Sequence, residues 1–437
     1  MSLITLLKKF FNNHSDKKVN GHNEAIISPP EKPSLYNKPI SRNAIKIIKR
    51  LNKAGYEAYL VGGSVRDLLL DLKPKDFDIA TSATPEQIRK LFRNCRLIGR
   101  RFRLAHIYFA NEIIEVSTFR AANKTRKKTD KCATSGMILR DNTYGTQQED
   151  AQRRDFTVNA FYYDPKSDQV IDAINGLTDI EQRQIRIIGD AETRYREDPI
   201  RMLRAIRFSS KLDFNIAAET AAPFSKLHQS LWNVSAARLF EEVLKLFFSG
   251  HAMASYKQLC HYDFFTFLFP QTATLINENN FQTLLQIALE NTDKRLAVGK
   301  SINPAFLLAV ILWLPLEKEI RLQQTKHSAF MAQQNAMQLI IQRQLETLAI
   351  PKRLSKTIKE IWELQYQLPR RHGKRAFYIL AQPRFRAAYD FLLLRAITDT
   401  KLQILADWWT QFQEADLEQQ NDMINALPKH RRFRKSK

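Results

Sequence analysis

Tyr59-Leu60-Val61-Gly62-Gly63-Ser64-Val65-Arg66-Asp67, followed by Asp76-Phe77-Asp78-Ile79-Ala80-Thr81, carries the decisive reading of this chain. Residues 57–61 read as a strand that ends in a glycine turn, and a short helix follows from Val65 with Leu68, Leu69 and Leu72 on its apolar side. Two glycines let backbone approach a ligand closely. The guanidinium of Arg66 can fork onto phosphate oxygens. Residues 76–80 read as a second strand, and side chains on a strand alternate faces. Asp76 and Asp78 therefore share one face while Phe77 turns to the core. Two acids on one face repel unless a cation lies between them. Mg²⁺, a hard cation with oxygen ligands that also bridges to a triphosphate, resolves that repulsion, and Mn²⁺ is the alternative. Alone, a Gly-Gly pair is an ordinary turn and a DxD is ordinary solvated surface. The order and spacing of the two, with Arg66 between, point to phosphoryl transfer.

Further along, Arg153-Arg154-Asp155-Phe156-Thr157-Val158-Asn159-Ala160 and Glu197-Asp198-Pro199-Ile200-Arg201-Met202-Leu203-Arg204-Ala205-Ile206-Arg207-Phe208 add two more motifs. Together with residues 59–81 they resemble, in order, the three motifs of the nucleotidyltransferase family that holds bacterial poly(A) polymerases and tRNA CCA-adding enzymes. The resemblance is clearest from about Ala44 to Pro270. It implies an α+β fold: a nucleotidyltransferase head with a small mixed β-sheet, followed by an all-helical neck, body and tail. The chain then divides into a flexible basic segment at 1–40, a catalytic head at 41–188, a helical neck at 189–270, a helical body at 271–428 and a basic tail at 429–437.

The same resemblance distributes roles. Asp76 and Asp78 hold metal, and Gly62, Gly63, Arg66 and Arg154 hold the triphosphate. Asp198 and Arg201, three apart on a helix, meet the edge of the incoming base, and Arg204 and Arg207 continue that row toward phosphates. Adenine presents an amine donor beside an acceptor, which a carboxylate and a guanidinium can pair. The plain alternative for this row is an i, i+3 ion pair on a helix surface. Two residues compete to be the third acid. Asp155, favoured, lies in the second motif. Glu115 lies in Glu112-Ile113-Ile114-Glu115-Val116, where alternation puts it on the face of Ile113, opposite Ile114 and Val116.

Composition agrees with a nucleic-acid partner. The chain has 437 residues and a formal net charge of +23, which attracts polyanions, RNA first and anionic membrane second. Its three cysteines, Cys95, Cys132 and Cys260, show no metal spacing and fit a reducing, cytoplasmic setting. The longest apolar run, Ala305 to Leu314, has ten residues and reads as a buried helix. Met1 to Phe11 carries Leu3, Leu6, Leu7, Phe10 and Phe11 with Lys8 and Lys9, a pattern that reads as a frayed tail or as a weak peripheral membrane contact.

Between Arg93 and Arg103 there are five arginines in eleven residues. Leu91 to Ile107 resembles the segment typical of bacterial poly(A) polymerases, and CCA-adding relatives usually lack so dense an arginine block. Arg370 to Tyr378, Arg384-Phe385-Arg386 and the tail from Lys429 interleave cations with aromatics, as a backbone grip with base stacking does. A basic loop at Asn123 to Lys131 fits the same use. The expected activity is template-independent addition of AMP from ATP to RNA 3′ ends, in RNA processing and decay, with RNA-decay or RNA-chaperone proteins as implied partners. The alternative is tRNA CCA addition. A catalytically idle RNA-binding protein would need a broken acid pair, and both acids are present.

Overall fold

A computed structural model describes residues 33–99, 103–121, 143–278 and 281–428. Met1–Phe11, Arg100, Arg101, the basic loop at Asn123 to Lys131, Cys132 and the tail Lys429–Lys437 lie outside the described residues. The chain forms two compact units. The first runs to Arg201 and takes in Asp213–Pro223; the second comprises Met202–Leu212 and everything from Phe224.

The first unit is built on a seven-stranded mixed sheet. Helix α1 (Arg42–Lys53) starts where Ser41 accepts from the amides of Asn43 and Ala44, and it buries Ala44, Ile47, Ile48 and Leu51. It stops before Gly55, whose φ of +87° an L side chain rarely adopts. Strand β1 (Ala58–Val61) leads into α2 (Gly63–Leu69), and β2 (Asp78–Thr81) follows. Helix α3 (Pro85–Leu91) opens on a capping box between Thr84 and Gln87, with Pro85 in its first turn. The next strands are β3 (Cys95–Ile98), β4 (Leu104–Tyr108) and β5 (Ile113–Thr118). Helix α4 (Gln147–Arg153) and a 3₁₀ turn (Thr157–Asn159) lead to β6 (Phe161–Asp164) and β7 (Gln169–Asp172). The strand order is β3-β4-β5-β2-β1-β6-β7. Only β2 and β5 run parallel; every other neighbouring pair is antiparallel.

Alternation gives this sheet two chemically different faces. One buries Leu60, Ile79, Ile107, Ile114 and Val116 against α1 residues Ile47 and Leu51, with Phe77 packed alongside. The other carries a smaller cluster of Val61, Ala80, Phe119, Ala151 and Tyr162. Asp78 alternates with Ala80 and so belongs to the second face. Leu72 departs from expectation: α2 ends at Leu69 and Leu72 is exposed. After β7 come α5 (Gly176–Glu181), α6 (Ala191–Glu197), α7 (Ile200–Leu212) and a short parallel pair of Gln184–Ile185 with Asn215–Ile216.

In the second unit all described regular structure is helical. Residues 305–314 are buried as expected apart from half-buried Phe306, but a break at Leu312 splits them between helices Pro304–Ile311 and Trp313–Gln323. Two buried tryptophans tie helices together through both surface and polarity. Trp362 Nε1 donates to the Ala309 carbonyl at 3.0 Å, and Trp409 Nε1 donates to that of Leu368 at 3.1 Å. Among the described residues no helix is long and apolar enough to cross a membrane.

Candidate active site

Parallel pairing sets Asp78 of β2 directly beside Glu115 of β5. Neighbours in register point to the same face, so the two carboxylates crowd each other. Asp76, one pleat before the strand starts, is exposed like Asp78, while Phe77 packs inward. On the far side of Glu115, His106 of β4 sits in register and places its Nε2 3.2 Å from the Glu115 carboxylate. Burial first, then the charge of Glu115, push the Asp78 carboxyl up to about 6. Arg154 opposes that rise, Asp76 adds to it and His106 opposes it. Water still reaches the Asp78 side chain, which is exposed, so part of this crowding is screened. Three acids at one strand end, with one carboxyl pushed toward neutrality, match what a divalent cation relieves. Among the described residues no group of three or more His, Cys, Asp or Glu is placed to hold a metal ion by itself, so a cation here would need ligands from the nucleotide as well.

The glycine turn lies against the end of β1. Gly62 has φ +76°, and its amide donates to the Phe161 carbonyl at 3.0 Å. A Cβ at Gly62 would come within 3.3 Å of Arg154 Nη1, so glycine is needed for conformation and for the close approach of that guanidinium. A Cβ at Gly63 would meet Arg66 Nη2 at 3.4 Å.

Arg66, expected to fork onto phosphate, is buried and engaged by neighbouring side chains. It is 2% exposed. Its Nε and Nη2 donate to Asp67 Oδ1 at 2.9 and 2.6 Å, and Nη1 donates to Asn159. Its fork is spent on bracing the turn from beneath. Asp155 is likewise engaged: its Oδ1 accepts from the Phe156 amide at 2.9 Å and from Asn159 Nδ2 at 3.3 Å. The charges that act most on Asp78 are, in order, Glu115, Arg154, Asp76 and His106. Asp67, Arg66, Asn159 and Asp155 thus form one chain of contacts under the second motif.

Asp198 ends α6 and Arg201 lies in the first turn of α7; both are half-buried. Arg201 Nη1 donates to the Arg194 carbonyl at 2.7 Å and to Glu197 Oε2 at 3.1 Å. Arg194, buried, also reaches Glu197 at 2.9 Å, and burial first, then the charge of Arg201, lower its guanidinium to about 10. Arg204 and Arg207 fall in the second unit. Arg207 Nε donates to the buried Glu242 at 2.5 Å and its guanidinium lies 4.3 Å from the Phe208 ring centroid; Arg204 lies 5.5 Å from the same ring. Arg207, expected to reach phosphate, is held in an ion pair within its own unit.

The arginine block is also more structured than its charge suggests. Cys95–Ile98 is the edge strand β3, with Arg96 over the Tyr108 ring at 5.4 Å, and Arg103 pairs with Glu86 at 2.7 Å. In the second unit Arg384 pairs with Glu360 and Arg386 with Asp390, both at 3.0 Å. Lys374, Arg375 and Tyr378 remain exposed on one short helix.

Three sequence families match successive parts of the chain. The family described as Poly A polymerase head domain matches residues 58–186, the one described as probable RNA and SrmB-binding site of polymerase A matches 213–276, and the polymerase A arginine-rich C-terminus matches 325–437. Poly(A) polymerase I of Salmonella typhi is 48% identical over 426 residues, covering 94% of this chain and 92% of that protein. That of Haemophilus influenzae is 43% identical, covering 88% and 87%. A CCA-adding enzyme of Lactobacillus helveticus is 37% identical but covers only 49% of this chain and 52% of its own. Among solved structures, the Bacillus stearothermophilus CCA-adding enzyme in complex with CTP superposes with a TM-score of 0.57 at 25% identity, covering 83% of this chain and 81% of that one. The Thermotoga maritima CCA-adding enzyme complexed with tRNA gives 0.58 at 18% identity over 91% and 90%. The CCA-adding fold is shared broadly, whereas high identity from end to end is found with polymerases that make poly(A): this chain belongs to the bacterial poly(A) polymerase family of nucleotidyltransferases.

Proposed function

We propose that this protein transfers AMP from ATP to the 3′ hydroxyl of RNA without a template, releasing pyrophosphate. The observation that carries the reading is a group of carboxylates at the start of β2 and beside it on β5, in a chain whose similarity to poly(A) polymerase I spans nearly its whole length. Nucleotidyltransfer of this family implies a divalent metal. Asp76, Asp78 and Glu115 would hold it, and their hard carboxylate oxygens suit Mg²⁺, with Mn²⁺ as alternative. When bound, the metal supplies charge that acidifies the RNA hydroxyl and steadies the departing pyrophosphate.

The residues of the chain do the rest. The RNA 3′ oxygen attacks the α-phosphorus of ATP, the bond from that phosphorus to the β-bridging oxygen breaks, and the hydroxyl proton passes to solvent. Gly62 and Gly63 keep the turn bare so that triphosphate and the Arg154 guanidinium can approach it. Arg66 and Asn159 keep the turn rigid. Glu115 is our choice for the third acid, supported by its register with Asp78; Asp155 acts as a brace for the turn. His106 orients Glu115 from behind, as outer-shell partners do. Asp198 and Arg201 select adenine, and Glu197 fixes the plane of Arg201. Exposed Lys374, Arg375 and Tyr378 contribute a sequence-independent hold on RNA. Protein partners in RNA decay and a membrane contact through Met1–Phe11 are proposed from the sequence alone, and Met1–Phe11 lies outside the described residues.

CCA addition is the second reading, favoured by the fold shared with CCA-adding enzymes. The two are separated by supplying the purified protein with Mg²⁺, an RNA lacking any tRNA feature, and each nucleotide alone. Long extension with ATP and little with CTP is expected. Extension confined to tRNA missing its terminal C, C and A supports the second reading instead.

A further inference from the structure

Behind the site lies a polar group that no motif singled out. Asp150, in α4, is 2% exposed. Its Oδ2 accepts from the Tyr162 hydroxyl at 2.5 Å and from Arg154 Nη2 at 3.0 Å, and its Oδ1 accepts from the Arg120 amide at 3.1 Å and Nε at 3.5 Å. The Tyr162 hydroxyl in turn accepts from Arg154 Nε at 3.0 Å, and the guanidinium lies 5.1 Å from the Tyr162 ring centroid. Two of the Arg154 nitrogens are thereby fixed, and Nη1 is the one held against Gly62. Tyr162 itself is anchored by the sheet: on β6 it pairs with Val61, the last residue before the glycine turn. Phe119 and Tyr59 meet its ring edge-on, at 6.3 and 6.1 Å. Burial would push the Asp150 carboxyl up, but the charges of Arg154 and Arg120 and its hydrogen bonds hold it below the usual range, so it stays ionised.

A buried charge and a buried phenol are costly to maintain unless each polar atom is matched. Here the matching converges on one guanidinium and leaves one edge of it at the nucleotide turn. We infer that Asp150 and Tyr162 are positioning residues that aim Arg154 at the triphosphate of the incoming nucleotide. The inference rests on Arg154 being a nucleotide contact, as proposed above. A long, flexible arginine loses much rotamer freedom on gripping a ligand. Fixing its Nε and Nη2 in advance leaves only Nη1 to find the phosphate oxygen.

The test is steady-state kinetics, with ATP varied at saturating RNA and RNA varied at saturating ATP, on Tyr162→Phe, Asp150→Asn, Arg154→Ala and the Tyr162→Phe/Arg154→Ala double variant, with thermal melting as a fold control. Tyr162→Phe removes one hydroxyl and keeps the ring, so it folds even if Asp150→Asn does not. The expected result is a KM for ATP raised about 10-fold in Tyr162→Phe, with KM for RNA unchanged. In the double variant the tyrosine change has no further effect, because the group it aims is gone. An unchanged KM for ATP in Tyr162→Phe, alongside a raised one in Arg154→Ala, overturns the positioning role. So does a tyrosine effect that persists at full size without Arg154. An unchanged KM for ATP in Arg154→Ala instead overturns the nucleotide role of Arg154, a separate failure.

Discussion

Among the described residues the first unit buries many more of its charged side chains than the second, where Glu242 is the one buried. In the first, Arg66, Asp67, Asp150 and Arg153 are all under 10% exposed, and each is paired with other protein atoms at hydrogen-bonding distance. In the second, many cations sit at the surface, in i, i+4 pairs such as Arg386 with Asp390 or in the open, as Lys374 and Arg375 do. The core of that unit is apolar and aromatic, with Trp409, Phe412, Phe385 and Leu392 buried together. Phosphoryl transfer needs charges held in fixed geometry, and fixed geometry needs burial and full pairing. A hold on RNA backbone needs only cations and aromatic faces in sufficient number. Chemistry and grip therefore predict different sensitivities to mutation.

The sharpest contrast is at the acids. Asp76→Ala or Asp78→Ala should lower adenylate transfer on the order of 10³-fold, the equivalent of several kcal/mol of transition-state stabilisation. RNA affinity, measured by filter binding, should stay within twofold. If both fall together, the division of labour is wrong.

The reverse experiment is smaller in effect. Lys374→Ala with Arg375→Ala and Tyr378→Ala should weaken RNA binding about 10-fold, because stacking and charge are both removed. The slope of log affinity against log salt should fall by roughly 0.7 for each RNA phosphate that is no longer neutralised. KM for ATP should not move. A drop in kcat at saturating RNA would instead tie this helix to the chemistry.

Smallest is a stability effect that runs against activity. The Asp78 carboxyl is raised to about 6 in the folded chain, above its unfolded value of about 3.9. The folded state then binds more protons between those values, so stability falls as pH rises through that window and the penalty is complete above it. Because the side chain is exposed, screening keeps the penalty to about 1 kcal/mol or less. Metal-free Asp78→Asn should therefore melt slightly higher than wild type at pH 8 and equally at pH 3.5, and Mg²⁺ should raise the wild-type melting temperature at pH 8 alone. Equal melting at both pH values would remove the crowding argument.

Much of the frame was legible because local rules sufficed. Ser41 caps α1, Thr84 and Pro85 open α3, and alternation alone puts Phe77 in and its two aspartates out. Alternation also put Glu115 opposite Ile114, but not beside Asp78, since register between strands 37 residues apart is a tertiary fact. Strand β3 was hidden by its charge, as an edge strand with Arg96 outward shows no apolar run. Strand β6, buried on both faces, shows no alternation to detect. Partners far along the chain were not legible: Asn159, 93 residues on, meets Arg66, and Glu242, 35 residues on, meets Arg207. Asp150 left one local sign: it lies four residues before Arg154, the spacing of a helical ion pair.

Register between β2 and β5 sets Glu115 beside Asp78 and makes it the proposed third acid. The most direct measurement is Mg²⁺-dependent AMP transfer per folded molecule in Glu115→Gln beside Asp155→Asn, at saturating ATP and RNA. Glu115→Gln is predicted to lose on the order of 100-fold or more, with RNA affinity and melting temperature close to wild type. Asp155→Asn is predicted to lower the melting temperature and to lose far less activity. Near-normal transfer by Glu115→Gln, with Asp155→Asn inactive yet fully folded, would contradict the account.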